Sequence, residues 1–144
     1  MSYPPKPHNA LLTIQTRTSR GWTLAASIMD LMKPEIINNA EGKCELRFQV
    51  RPEFTIYSGI VQGGIVAVML DMAMAMAGNG ELSTASLQYE ILRPVRDTPL
   101  TATGTIVRRG QRIIFAEAEI RNDDGVLLAK GTQTAVPVSR PSSE

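Results

Sequence analysis

The chain has 144 residues, 43% hydrophobic and 20% charged, with 15 Lys and Arg against 14 Asp and Glu, the makeup of one ordinary soluble domain. A net charge of +1 gives no field strong enough to hold a polyanion, which argues against nucleic acid and membrane surfaces as main partners. A single histidine, His8, and a single cysteine, Cys44, leave no parts for a disulfide framework, a structural zinc site or Cys/His and Ser/His catalysis, so carboxylates must lead any enzyme chemistry.

Residues 1–20 read as a Pro-rich N-terminal arm without the apolar stretch of a signal peptide, so the expected location is cytoplasmic. A single domain is expected over residues 21–138, followed by a tail over 139–144. Thr23 to Met32 places Leu24, Ile28 and Leu31 at helical spacing, with Thr18 or Ser19 as possible caps and Trp22 as a packing anchor. Lys43 to Arg51 alternates as a strand, with Cys44, Leu46, Phe48 and Val50 on the face that turns inward. A second helix is predicted from Gly63 to Ala77, ending at Gly78, with Met69, Met72, Met74 and Met76 as core filling. It is apolar on every side and must be wrapped by the rest of the protein. Its longest apolar run, Ile65 to Ala77, contains Asp71 and falls short of the roughly 20 residues a membrane helix needs. Four strands follow, near Thr84–Leu92, Leu100–Arg108, Arg112–Arg121 and Val126–Val136, joined by turns rich in Gly, Asp and Pro that make neighbours antiparallel. The layout is α+β, with helices on one face of an antiparallel sheet.

Asp71 stands among Ile65, Val66, Val68, Met69, Leu70, Met72 and Met74, with no Lys or Arg in the helix to pair with it. Such a carboxylate either faces a solvated seam or bonds a neighbouring amide, or it is a reactive group ready to act as base or nucleophile. Gln62-Gly63-Gly64 opens the same helix; paired glycines admit a ligand close to free N–H groups at a helix N-terminus, though a tight turn needs them as well. The glycine spacing matches neither a P-loop nor a dinucleotide fingerprint.

From Ile56-Tyr57-Ser58-Gly59 through Gln62-Gly63-Gly64 to Asp71, then Leu87-Gln88-Tyr89-Glu90-Ile91-Leu92-Arg93-Pro94, Val107-Arg108-Arg109-Gly110 and Asp124 to Gly131, the ordered motifs resemble one family. It is the hotdog-fold acyl-CoA thioesterases of the PaaI-like, phenylacetic acid degradation type. The resemblance covers about Glu41 to Val138 and implies a hotdog fold, an antiparallel sheet wrapped around a long central helix. It implies that Asp71 attacks the thioester carbonyl or activates a water, and that the Gly64 amide polarises the carbonyl oxygen. A strand hydroxyl that orients the water falls on Thr84, with Ser83 adjacent. Strand parity speaks for Ser83, since Ala85, Leu87, Tyr89 and Ile91 mark the inward face that Ser83 shares, but Thr84 is kept as the first choice. Two positions depart from the family pattern: its usual His is Gln62, and its usual Asn or Gln is Ile56. Gln62 can hold the loop or touch the thioester but cannot shuttle a proton at neutral pH.

Gly64 and Asp71 are seven residues apart, about 10 Å along a helix, whereas attack needs a reacting oxygen within roughly 3 Å of a carbonyl held by the oxyanion donor. The site is therefore expected to combine two subunits in a homodimer, and the family implies pairing into homotetramers. Gly63, Ser83, Arg93, Arg108, Arg109 and Arg112 are candidates for substrate binding, the arginines, with Arg96, for the phosphates of coenzyme A. The expected activity is hydrolysis of an aliphatic or aryl acyl-CoA to acid and free CoA, with no metal and no cofactor beyond the CoA of the substrate. The alternative is a non-catalytic hotdog protein that binds acyl-CoA or acyl carrier. A hydroxyacyl dehydratase on the same fold would call for a His, and His8 lies in the arm.

Overall fold

The computed structural model describes residues 15–18, 21–24 and 27–139. The chain divides into two units, Met1–Lys33 and Pro34–Glu144.

In the first unit, β1 (Gln15–Thr18) and β2 (Gly21–Leu24) form an antiparallel hairpin with Arg17 opposite Trp22. A helix, α1, spans only Ile28–Met32. Ser27 starts it through a capping box: its hydroxyl accepts from the Met29 N–H, and Asp30 accepts from the Ser27 N–H at 2.8 Å. Lys33 ends it in the left-handed region, φ 46°, directly before Pro34. The helix expected over Thr23–Met32 is thus shorter at its start, and Thr23, Leu24 and Trp22 belong to a strand. The Ser27 and Asp30 pair marked the true start; the spacing of Leu24 to Ile28 was fortuitous.

The second unit is a six-stranded antiparallel sheet with one long helix on its face. Its strands are β3 (Glu35–Ala40), β4 (Lys43–Phe48), β5 (Leu82–Ile91), β6 (Leu100–Arg109), β7 (Ile114–Asn122) and β8 (Leu127–Pro137), in the order β3-β4-β6-β7-β8-β5. The helix α2 spans Gly63–Ala77 and lies against β4 to β8. Alternation decides which side faces it. Cys44, Leu46 and Phe48 of β4, Leu100 and Ala102 of β6, and Ile114 and Ile120 of β7 are fully buried, as are Val66, Met69, Leu70, Ala73 and Met74 of α2. Burying each large side chain contributes about 1.5–3 kcal/mol, which makes this helix-on-sheet layer the main source of stability. Burial pushes the Cys44 thiol up, in keeping with a core residue, and not with a nucleophile.

One glycine lets the helix sit so close: a Cβ on Gly104 would lie 2.2 Å from the Ala73 carbonyl oxygen. Arg47 of β4 spans to the β7–β8 turn, where its guanidinium donates to both Asp123 oxygens at 2.9 and 3.0 Å. That hydrogen bond holds the Asp123 carboxyl below the usual carboxylate range.

β3 carries no alternation, because it is an exposed edge strand with a register shift between Ile36 and Asn38. The other edge is β5, a ten-residue strand on which only Leu82 is buried and Leu87 half-buried; Tyr89 and Ile91 are each 40% exposed. A long, two-sided open edge of this kind is a template for another strand.

Candidate active site

The loop from Arg51 to Gln62 sets the start of α2. Pro52 begins a single 3-10 turn, Ser58 and Gly59 adopt positive φ of 63° and 69°, and the Gln62 N–H donates to the Phe54 carbonyl at 2.9 Å. Gln62 then caps the helix: its Oε1 accepts from the Gly64 N–H at 2.7 Å and from the Ile65 N–H at 3.2 Å. The amide expected to meet a thioester oxygen is therefore held by the chain's own Gln62, and a carbonyl oxygen must take the place of Gln62 Oε1 to reach it. Gln62→Ala is expected to lower stability by about 1 kcal/mol through loss of the cap while hydrolysis stays within about threefold of the wild type. Thermal melts and steady-state rates check this; a loss above a hundredfold would place Gln62 on the substrate.

Two turns further along, Asp71 lies on a half-buried stripe with Ala67, Val68 and Ala75. The Thr84 hydroxyl donates to Asp71 Oδ1 at 2.8 Å. Thr84 reaches it because β5 is irregular: its register against β8 shifts between Thr84 and Ser86, so Thr84, Leu87, Tyr89 and Ile91 all turn to the helix side. Ser83 pairs with Val136 and points to the other face. Simple parity pointed to Ser83, and the bulge at Ala85 reverses it.

A third group was absent from the expected set. Gln133 of β8 is 2% exposed, and its Nε2 donates to Asp71 Oδ1 at 2.9 Å and to Thr84 Oγ1 at 3.1 Å. The signal for it was a lone amide in the inward file Ala129, Gly131, Gln133 and Ala135, whose other members are small. Asp71 is thus the apex of a carboxylate, hydroxyl and amide triangle, able to accept a proton or attack an electrophile on its open side.

The expected arginines fall into two groups. Arg93 and Arg96 follow β5 at its Ile91 end, where a Cβ on Gly63 would lie 3.5 Å from Ile91 Cδ1; Arg96 Nη1 donates to the Ser58 carbonyl. Arg108 and Arg109 end β6 and Arg112 follows in its turn, level with Thr84 through the register Arg109, Ile114, Ala135, Thr84. Within one protomer the two groups therefore sit at opposite ends of the sheet. Ile56, where the family keeps an amide, is 53% exposed and offers no polar side chain. A groove of about 380 Å³ lies on the outer face of the sheet, lined by Gln88, Glu90, Glu117, Glu119, Lys130 and Thr132. Three acids against one base suit no phosphate, and none of the groups around Asp71 opens into it.

Among the described residues no cluster of His, Cys, Asp and Glu could hold a metal, and no helix is long and apolar enough to cross a membrane.

A helix laid on an antiparallel sheet in this strand order is the hotdog fold. The family model of the thioesterase superfamily matches residues 58–129, from the loop before α2 into β8. The chain belongs to the thioesterase superfamily. It is 29% identical over 111 residues to a putative esterase of Saccharolobus solfataricus, covering 74% of this chain and 79% of that one. It is 28% identical over 94 residues to a medium/long-chain acyl-CoA thioesterase of Salmonella typhimurium, covering 52% of this chain and 61% of that one. The PaaI protein from the phenylacetic acid degradation operon of E. coli shares the fold, with a TM-score of 0.73 and 20% identity over 80% of this chain and 86% of that one. The resemblance to PaaI-like hotdog thioesterases read from the motifs is borne out in family and fold.

Proposed function

We propose that the protein is an acyl-CoA thioesterase that hydrolyses its substrate to a free acid and CoA at Asp71. The observation that carries this reading is the Asp71, Thr84 and Gln133 triangle on an otherwise apolar helix of a thioesterase-superfamily fold. In the general-base route Asp71 takes a proton from water as the water oxygen bonds to the thioester carbon. The Gly64 N–H stabilises the oxyanion, the C–S bond breaks, and protonated Asp71 returns the proton to the CoA thiolate. In the nucleophile route Asp71 bonds the carbonyl carbon itself, the C–S bond breaks to release CoA thiolate, which takes a proton from solvent, and water then splits the mixed anhydride into the free acid and the Asp71 carboxylate.

Both routes require Gly64 and Asp71 to meet, and the fold supports a two-chain solution. Gly63 adjoins Ile91 and Asp71 adjoins Thr84, so α2 runs antiparallel to β5. Antiparallel pairing of two β5 edges about Gln88 keeps Leu87 and Tyr89 of both protomers on the helix side and, with Ala85 bulged out, sets Thr84 of one protomer opposite Ile91 of the other. The same axis crosses the two helices between Ala67 and Val68, whose small half-buried side chains permit close approach, and brings Asp71 of one helix to Gly64 of the other. It also brings Arg108, Arg109 and Arg112 of one protomer toward Arg93 and Arg96 of its partner, on the side where the CoA phosphates are expected.

Acyl-CoA esters graded from short aliphatic to long-chain and aryl forms, assayed by free-thiol release, test the activity. Turnover of at least one class is expected. Binding without turnover across the whole range would establish instead a hotdog protein that carries acyl-CoA, the reading that Ile56 in the amide position favours.

A further inference from the structure

We propose that Gln133 is a positioning residue that anchors one oxygen of Asp71 and leaves the other, Oδ2, as the reacting atom; this rests on the thioesterase reading of Asp71. Oδ1 accepts two hydrogen bonds, from Thr84 Oγ1 at 2.8 Å and Gln133 Nε2 at 2.9 Å, and no described residue donates to Oδ2. The second Nε2 hydrogen goes to Thr84 Oγ1 at 3.1 Å, which directs the single Thr84 proton onto Asp71. The three groups therefore have one consistent arrangement of protons, in which Oδ1 accepts both hydrogen bonds and only Oδ2 is left to take a proton. Turning the amide over would set two acceptor oxygens 2.9 Å apart.

This arrangement has a cost that packing alone would not incur. Gln133 Oε1 is buried and accepts no hydrogen bond among the described residues. A methionine of similar length would fill the space between Ala116 and Leu87 without an orphaned acceptor. The amide is thus worse than an apolar residue for the core and better only for what it holds. By fixing Oδ1, it removes rotation of the carboxylate and aims Oδ2 at the open side of the helix, where the scissile carbonyl is expected.

The faces that β3 to β8 turn to α2 carry three other titratable groups, Cys44, Tyr89 and Arg109, the last opposite Ile114 in the row that holds Thr84, and none is a carboxylate. A new carboxylate there consequently reads directly on Asp71. The test uses the full chain, the best acyl-CoA substrate of the wild type, and the variants Gln133→Met, Gln133→Glu and Asp71→Asn. Gln133→Met is expected to keep or raise the melting temperature, to keep KM within about twofold, and to lower kcat roughly 10- to 100-fold as Oδ2 loses its aim. Gln133→Glu puts a second carboxyl against Asp71, so the two share a proton and the acid limb of the kcat/KM profile moves to higher pH. A merely structural Gln133 would leave kcat of Gln133→Met unchanged, whereas any carboxyl 2.9 Å from Asp71 moves the acid limb and so checks only that the two side chains adjoin. If Gln133→Met does not fold, the shorter Gln133→Leu carries the kcat test. Wild-type kcat in the apolar Gln133 variant, with Asp71→Asn inactive, would overturn the positioning role alone. Asp71→Asn as active as the wild type would overturn the reading of Asp71 as the reacting group with it.

Discussion

Asp71→Asn is expected to lower kcat about 1,000-fold with KM changed less than about threefold, the scale set by loss of a general base. Asparagine keeps the shape of aspartate, and its oxygen can still accept from the Thr84 hydroxyl and the Gln133 amide, so ground-state binding and the fold should persist. What it loses is the capacity to take a proton or to form an anhydride. Free-thiol release at saturating acyl-CoA measures the effect, and calorimetric binding of the same ester shows that the site still forms. Activity within tenfold of the wild type would remove Asp71 from the chemistry. Oxygen-18 appearing in the Asp71 side chain during a single turnover in labelled water would select the nucleophile route, with water opening the anhydride at the Asp71 carbonyl.

Gly104→Ala is expected to produce the largest loss of stability. Its new methyl would lie 2.2 and 2.3 Å from the Ala73 carbonyl oxygen and carbon and 2.7 Å from the Met74 nitrogen. These are backbone atoms in the middle of α2, so no side chain can turn aside; the helix must lift from β6. Overpacking of this kind costs about 3 kcal/mol, at the upper end of the usual range. For a chain of this size that corresponds to a fall of about 10 °C in melting temperature. Because α2 also carries Asp71, activity should fall at temperatures well below the melt. Differential scanning calorimetry checks the first effect, and an unchanged melting temperature would mean that helix and sheet are farther apart than described.

The elements that hold the site were legible wherever burial was one-sided. β4 and β7 alternate without interruption, and α2 is bounded by Gln62-Gly63-Gly64 and Gly78, so their limits fall within a few residues of those expected. β3 was missed because an edge strand with exposure on both faces has no pattern to read, although Glu41-Gly42 between two strands was a turn signal. The hairpin of β1 and β2 was missed because strands of four residues are too short to show a period, and α1 was overextended because helical spacing was weighed above the Ser27 and Asp30 capping box. At the site, Asp71 and Thr84 were named from motif positions, but the bulge that turns Thr84 inward is a property of pairing and not of the strand's own sequence. Gln133 lies 62 residues from Asp71, and nothing local joins them; only an amide in a file of small residues hinted at a partner. That Gln62 occupies the Gly64 amide was likewise invisible, since an uncapped helix start and a capped one read alike.

The central claim is that one active site needs Gly64 of one protomer and Asp71 of another, and subunit mixing tests it most directly. Asp71→Asn removes the carboxylate. Gly64→Pro removes the N–H at a first-turn position that makes no intrahelical bond. Each variant alone should be inactive. Denatured together in equal amounts and refolded, they form mixed dimers in which one of the two sites regains both an intact Gly64 and an intact Asp71. Half of a random mixture is the mixed dimer, and half of its sites are whole, so about a quarter of wild-type activity is predicted from shared sites. No recovery above the separate variants, from dimers shown to have exchanged subunits, would mean that Gly64 and Asp71 act within one chain and would contradict this account.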